Sequence, residues 1–176
     1  PWPDASIDHV YMMWFIEHLP ETIGRRVLHE ARRVLRPGGT ITINETDYTT
    51  FKVWPPSPDW DALEQAQHDH FARVGNPIAG RRLSGLLAEA GFAAAASRIM
   101  GFHFNHATDA AALRAHAEYI AGFPVPAVGP LAAHKADEPT LRRGVEHLRR
   151  VVPMPPEGSI TNIVYRARAA APATPG

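Results

Sequence analysis

Apolar positions along the chain recur in two rhythms, one with a period of two and one near 3.6, and their alternation sets the predicted elements. Val10-Tyr11-Met12-Met13-Trp14 is apolar on both alternating faces. Such a run fits a strand over 9–14 covered on both sides in a parallel sheet, with a buried helix segment as the competing reading. Pro20-Glu21 then opens a helix over 21–35, where Ile23, Val27, Leu28, Ala31, Val34 and Leu35 recur at helical spacing. Arg32, Arg33 and Arg36 crowd its end, where the macrodipole favours cations, and Pro37-Gly38-Gly39 stops it. Ile41 and Ile43 alternate with Thr40, Thr42 and Asn44, which predicts a second strand over 39–45. Strand, helix and strand in so short a span form a parallel βαβ unit with a right-handed crossover.

Beyond Glu45 the rhythm loosens. The stretch 47–56 is too rich in proline for a helix and reads as a loop over the sheet edge. Ser57 caps a helix with Pro58 at its first position, running through Leu63, Gln67 and Phe71 to Gly75-Asn76-Pro77. Leu83, Leu86, Leu87 and Ala90 mark another helix that ends at Gly91, and Ala96, Arg98, Met100, Phe102 and Phe104 alternate as a strand. Two further helices, about 108–121 and 139–151, flank a stretch rich in proline and glycine, and 159–168 closes as a final strand. No internal repeat or interdomain linker interrupts 1–168, read as one domain, and the Ala- and Pro-rich 169–176 predicts a disordered tail.

With 45% hydrophobic and 20% charged residues in a chain of 176, composition is that of a globular domain with a real core. Lysine plus arginine and aspartate plus glutamate number 18 each, so no global field draws in nucleic acid or an anionic membrane surface. Cysteine is absent, which excludes disulfides, thiolate zinc sites and a cysteine nucleophile. No apolar run reaches the roughly 20 residues of a membrane helix, and no signal-peptide pattern opens the chain. A soluble, cytoplasmic protein is the expectation.

Five short motifs follow one another in a familiar order. They are Asp4-Ala5-Ser6-Ile7-Asp8, Glu17-His18-Leu19, the stretch Glu30 to Gly39 ending in Arg36-Pro37-Gly38-Gly39, Leu86 to Phe92, and Asn162-Ile163-Val164-Tyr165. Together they resemble the class I S-adenosylmethionine-dependent methyltransferases, within the group that includes ubiquinone-type C-methyltransferases. The likeness covers about 4–104 and the last strand. It implies an α/β fold: a partial Rossmann-like sheet, mostly parallel with an antiparallel closing strand, and helices on both faces. The chain departs from the family upstream, where no Gly-x-Gly-x-Gly turn follows a strand and no acidic residue for the ribose hydroxyls can be assigned. The expectation is a fragment truncated at its N-terminal side that binds S-adenosylmethionine poorly by itself.

The resemblance implies an enzyme moving a methyl group from S-adenosylmethionine to a small-molecule acceptor. In open α/β sheets ligands sit beyond the carboxyl ends of the strands, which points to Met13, Trp14 and Phe15 for the cofactor, joined by His18 from the family pattern. An aromatic face can hold a sulfonium cation; plain core is the alternative for these aromatics. Glu45, Asp47, Tyr48 and Trp54 are expected on the acceptor side with the helices after Thr108, and Glu45, Asp47 or Tyr48 as the group that takes a proton, Tyr48 and Asp47 foremost. A solvated polar loop is the competing reading of 45–48. The alternative function is a non-catalytic half-domain, acting as a binding or assembly module through a sheet edge left bare, where a partner chain or the upstream half would sit.

Other patterns carry less. Tyr48-x-x-x-Lys52 spells a dehydrogenase pair, but the prolines at 55 and 56 forbid the helix that pair needs. His68-Asp69-His70 and His103 with His106 lack a third ligand, so no metal site is expected. Gly80 to Gly85 has the outer glycines of a phosphate loop without its lysine and reads as a helix start, and the arginines at 142, 143, 149 and 150 as a solvated face.

Overall fold

The computed structural model describes residues 2–133, 136–154 and 156–173, apart from the Val125 side chain. In chain order the elements are β1 (Ile7–Met13), α1 (Glu21–Val34), β2 (Leu35–Thr46), β3 (Lys52–Trp54), α2 (Pro58–Val74), α3 (Ala79–Glu89), β4 (Ala93–Asn105), α4 (His106–Ala121), α5 (Val128–Leu131), α6 (Glu138–Glu146) and β5 (Ser159–Ala170). They divide into two compact units, the first comprising 1–49, 73–100 and 163–176, the second 50–72 and 101–162. Among the described residues no helix is long and apolar enough to cross a membrane.

In the first unit β1 runs parallel to β2, with Val10 opposite Ile41 and Met12 opposite Ile43, and α1 makes the crossover. The βαβ unit is therefore present. The later part of β5 lies antiparallel along β2, Ala167 opposite Ile43 and Ala169 opposite Ile41, as the closing strand should. In the second unit β3 is also antiparallel to β5, so the sheet is less parallel than expected. A period of two reveals that a strand exists but carries no information on its direction.

α1 and α3 pack on the face made by Ile41, Ile43, Ala167 and Ala169, burying Leu28, Ala31, Leu83, Leu86, Leu87 and Phe92. Each leucine or phenylalanine side chain so removed from water contributes roughly 1.5–3 kcal/mol. The other face of β1 is different: Tyr11 and Met13 are exposed. They join a lateral polar chain in which Tyr11 donates to Met13 Sδ (3.2 Å), Asn44 Nδ2 donates to the Tyr11 oxygen (2.7 Å) and Arg166 Nε donates to Asn44 Oδ1 (2.8 Å). The apolar run of β1 thus has one half-buried face, Val10 and Met12 against the core, and one exposed face, because an apolar side chain does not oblige burial.

Pro37-Gly38-Gly39 lies inside β2, where it was expected to precede the strand. The register shifts between Ile7, opposite Leu35, and His9, opposite Thr40, and the extra residues bulge. Gly38 takes φ of 75°, a conformation that favours glycine, and its N–H donates to the Ala171 carbonyl while the Ala171 N–H donates to Gly39. Residues 169–171, expected in a disordered tail, are consequently part of the fold, with Ala169 and Ala171 buried. Residues 174–176 of that expected tail lie outside the described residues.

The second unit is mainly helical. Trp60 and Leu63 of α2, Leu113 and Ala117 of α4, Val128 and Leu131 of α5, and Leu141 and Val145 of α6 form its core with Leu148 and Ile160. Asn105 and Asp137 cap α4 and α6 through the N–H groups of Thr108 and Thr140. The stretch read as a loop over 47–56 contains β3, whose three residues are held by pairing with Ser159, Ile160 and Thr161.

Candidate functional site

At the carboxyl ends of β1 and β2 the chain leaves the sheet in two turns, 14–19 and 47–50, which are tied together through carboxyl groups. The Trp14 N–H makes the last rung of the ladder, donating to the Asn44 carbonyl at 2.9 Å, and Trp14 then turns to a left-handed φ of 50°. A bulky aromatic in that region is strained, holds only where its surroundings over-determine it, and is a feature that clusters at ligand sites. The surroundings here are specific. Three successive N–H groups point at one carboxylate, Phe15 and Ile16 at Glu45 Oε1 (3.1 and 2.9 Å) and Glu17 at Oε2 (3.2 Å). Residues 16–18 form one short helical turn, whose leading N–H groups have no partner within it, and Glu45 supplies that partner.

Glu17 returns the tie. Its buried carboxyl accepts from the Thr46 N–H at 2.7 Å and from the Tyr48 hydroxyl at 3.1 Å, and His18 Nε2 lies 3.5 Å away. Burial, and then the neighbouring Glu45 carboxyl, push the Glu17 pKa up from 4.5 to about 8. On the backbone side the Asn76 N–H donates to the Glu17 carbonyl at 2.7 Å. A Cβ on Gly75 would overlap that carbonyl oxygen, so only glycine lets the two segments approach so closely.

Asp47 is fully buried. Its Oδ1 accepts from the Thr49 N–H (3.0 Å) and hydroxyl (2.6 Å), its Oδ2 pairs with Arg81 Nε, and Arg81 Nη2 reaches Thr49 Oγ1 at 2.6 Å. The Asp47 carboxylate holds the Arg81 guanidinium above its ordinary pKa. Between these anchors Tyr48 donates its N–H to the Pro77 carbonyl at 2.9 Å.

Of the residues picked out from sequence, Met13, Trp14, Phe15, His18, Glu45, Asp47 and Tyr48 gather in the first unit. Trp14 and Phe15 are 40% and 45% exposed, so neither belongs to the core of this unit. Tyr48 is half-buried and bonded to Glu17. Glu45 and Asp47, expected to orient a ligand, are turned inward onto N–H groups and Arg81, since a buried carboxylate must find donors. Trp54 sits on β3 of the second unit, exposed, with its Nε1 donating to Glu157 at 3.3 Å. Lys52, the partner of the Tyr-x-x-x-Lys spelling, lies 3.4 Å from Glu64. Among the described residues no group of three or more His, Asp or Glu is placed to hold a metal ion. Sequence reasoning missed two residues. Glu17 had a signal, a lone acid between Ile16 and Leu19 in an otherwise apolar stretch; Arg81 had none, since its partner lies far along the chain.

A family described as a methyltransferase domain matches residues 1–43, which takes in β1, α1 and β2 as far as Ile43. An uncharacterized methyltransferase of Schizosaccharomyces pombe is 33% identical over 94 residues, 53% of this chain and 33% of that protein. An uncharacterized 37.1 kDa protein of a Streptomyces fradiae transposon is 34% identical over 97 residues, 53% of this chain and 26% of that protein. The matched segment therefore spans a third or less of these curated relatives. Among solved structures, a Bacillus halodurans protein assigned as a methyltransferase superposes with a TM-score of 0.51 at 14% identity, covering 98% of this chain and 67% of that one. An Anabaena variabilis protein assigned as a methyltransferase of an antibiotic biosynthesis pathway gives 0.51 at 19%, covering 94% and 68%. These two likenesses show the fold.

Proposed function

We propose, from the premise that this chain belongs with the class I S-adenosylmethionine-dependent methyltransferases, that it serves in moving a methyl group from S-adenosylmethionine to a small-molecule acceptor. The observation that carries this reading is the overlap of the family match with the turn at the end of β1, where Trp14 is at once exposed, aromatic and left-handed. The residues there fit the cofactor's chemistry. Trp14 and Phe15 offer aromatic faces to a sulfonium cation without competing as nucleophiles, and Met13 adds an apolar, polarizable neighbour. His18 stands on the same turn. Bound there, the cofactor supplies an activated methyl group.

Methyl transfer is an in-line displacement, so most of the acceleration comes from positioning two reactants and excluding water. Glu45 and Asp47 act by shaping: one holds the 15–17 turn, the other holds the 47–49 turn that carries Tyr48. Tyr48 is the residue of this chain best suited to orient an acceptor hydroxyl or amine. Calorimetric titration of the protein at its natural full length with S-adenosylmethionine, which carries the sulfonium charge, tests the reading. Trp14→Ala should weaken binding about tenfold, the scale of a desolvated cation–aromatic contact. Absence of binding by the unaltered protein, or unchanged affinity in Trp14→Ala, would overturn it.

A second reading rests on the outer edge of β1, which pairs with β2 on one side only among the described residues. Such an edge offers its open N–H and C=O groups to a strand of another chain, and a binding module would use it so. Sedimentation of this chain as a monomer across a wide concentration range would count against self-association through that edge.

A further inference from the structure

The two buried carboxyl groups behind the 14–18 turn do more than fill space. Their hydrogen bonds come from backbone N–H groups and one hydroxyl: Phe15, Ile16 and Glu17 for Glu45, Thr46 and Tyr48 for Glu17. Both are buried and each grips the other's segment, Glu45 Oε2 taking the Glu17 N–H while Glu17 Oε2 takes the N–H of Thr46, the residue after Glu45. No guanidinium or ammonium is among these donors, and two ionised carboxylates side by side in a buried setting are costly, so the pair keeps a proton. We propose that Glu17 and Glu45 are positioning residues that share a single proton, forming a latch that holds the Trp14–His18 turn to the end of β2 and opens when the proton leaves.

The neighbouring charges are committed elsewhere. From α3, Arg81 pairs with Asp47 and Arg82 with Glu21; from α1, Glu21 is shared by Arg25 and Arg82. Gly75 and Asn76 approach the Glu17 backbone without charge. On the turn itself His18 is the one cationic candidate, 3.5 Å from Glu17 Oε1, and Tyr48 contributes a neutral hydroxyl. Removing the shared proton therefore leaves two negative charges adjacent in a buried setting, and the strain at Trp14 gives the turn a direction in which to relax. The raised pKa of Glu17, about 8, sets where this happens.

The latch deepens the proposed function, resting on it only where the turn is taken as the cofactor side, and the test separates the two. Nuclear magnetic resonance of this chain would follow the amides of Phe15, Ile16 and Glu17 and the Trp14 indole from about pH 6 to about pH 10. One shared one-proton transition near pH 8 is expected in the wild type. It should vanish in Glu17→Gln, whose amide keeps a donor toward Glu45 without a charge; Glu45→Gln gives the same reading if that variant fails to fold. Amides that stay unshifted in the wild type, or an unaltered transition in either variant, would overturn the latch. In the natural full-length protein S-adenosylhomocysteine affinity should then fall about tenfold per pH unit above the transition. If the amides titrate and affinity does not follow, the latch stands and the cofactor assignment of the turn fails.

Discussion

Between its ordinary pKa of 4.5 and its folded value of about 8, Glu17 should draw stability steadily out of this protein as pH rises. The sign follows from proton counting. Over that window the folded chain keeps the Glu17 proton and the unfolded chain has released it, so each step up in pH favours unfolding. Below 4.5 both forms are protonated and the contribution is fully present; above about 8 both have lost the proton and the contribution is gone. At ~1.4 kcal/mol per pKa unit, the loss is on the order of a few kcal/mol, a large part of a small domain's stability. Other groups bend the curve. Glu64, raised by burial, adds to the decline, whereas His116, lowered by burial, works against it below its ordinary value of 6.5. Glu21, drawn down to about 2 by Arg82 and Arg25, acts only on the acid side, weakly because it is exposed. Comparison with Glu17→Gln removes these backgrounds. Denaturant unfolding at intervals from about pH 5 to about pH 9 should show the variant gaining on the wild type as pH rises, and parallel profiles would sink the idea.

The first forty-five residues were readable because their structure is local and repetitive: the 3.6 rhythm of Ile23 to Val34 and the alternation of Ile41 and Ile43 predict α1 and the core face of β2 directly. What remained hidden depends on partners distant in sequence. β3 is three residues long and exists because β5 passes beside it, a fact no local propensity records. The bulge at Gly38 and Gly39 looks like a turn until Ala171 is known to pair there. The second unit went unseen for a physical reason as well, since two of the passages between units fall inside β4 and β5, where composition does not change. The same holds for the site. The rule that ligands gather beyond strand ends locates Trp14, Phe15 and Tyr48, but whether a carboxylate there faces a ligand or the chain's own N–H groups is decided by burial, and Glu45 and Asp47 are both buried.

Asp47 and Tyr48, adjacent in sequence and both drawn from it as proton-taking groups, should separate cleanly when altered. Asp47 is sealed from solvent, with one oxygen on Thr49 and the other on Arg81. Asp47→Asn replaces an ion pair with a neutral contact, and Arg81→Leu leaves the buried carboxylate without that guanidinium. Breaking a wholly buried pair costs about 3–5 kcal/mol; Arg81 is 47% exposed, so water recovers part of that and about 2 kcal/mol is expected for either change. The double variant should cost less than the sum of the two, the mark of a shared interaction. Tyr48→Phe removes one hydroxyl bonded to Glu17 and should cost about 1 kcal/mol in stability. In the natural full-length protein its effect should fall on turnover, lowered about a hundredfold with S-adenosylhomocysteine affinity nearly unchanged if the hydroxyl meets the acceptor's proton. Asp47→Asn should reverse the pattern, a less stable protein whose remaining folded fraction turns over at a rate near that of the wild type. Should Asp47→Asn abolish turnover at full stability while Tyr48→Phe leaves the rate untouched, the proton-taking group is Asp47 and the buried ion pair has been misread as structural.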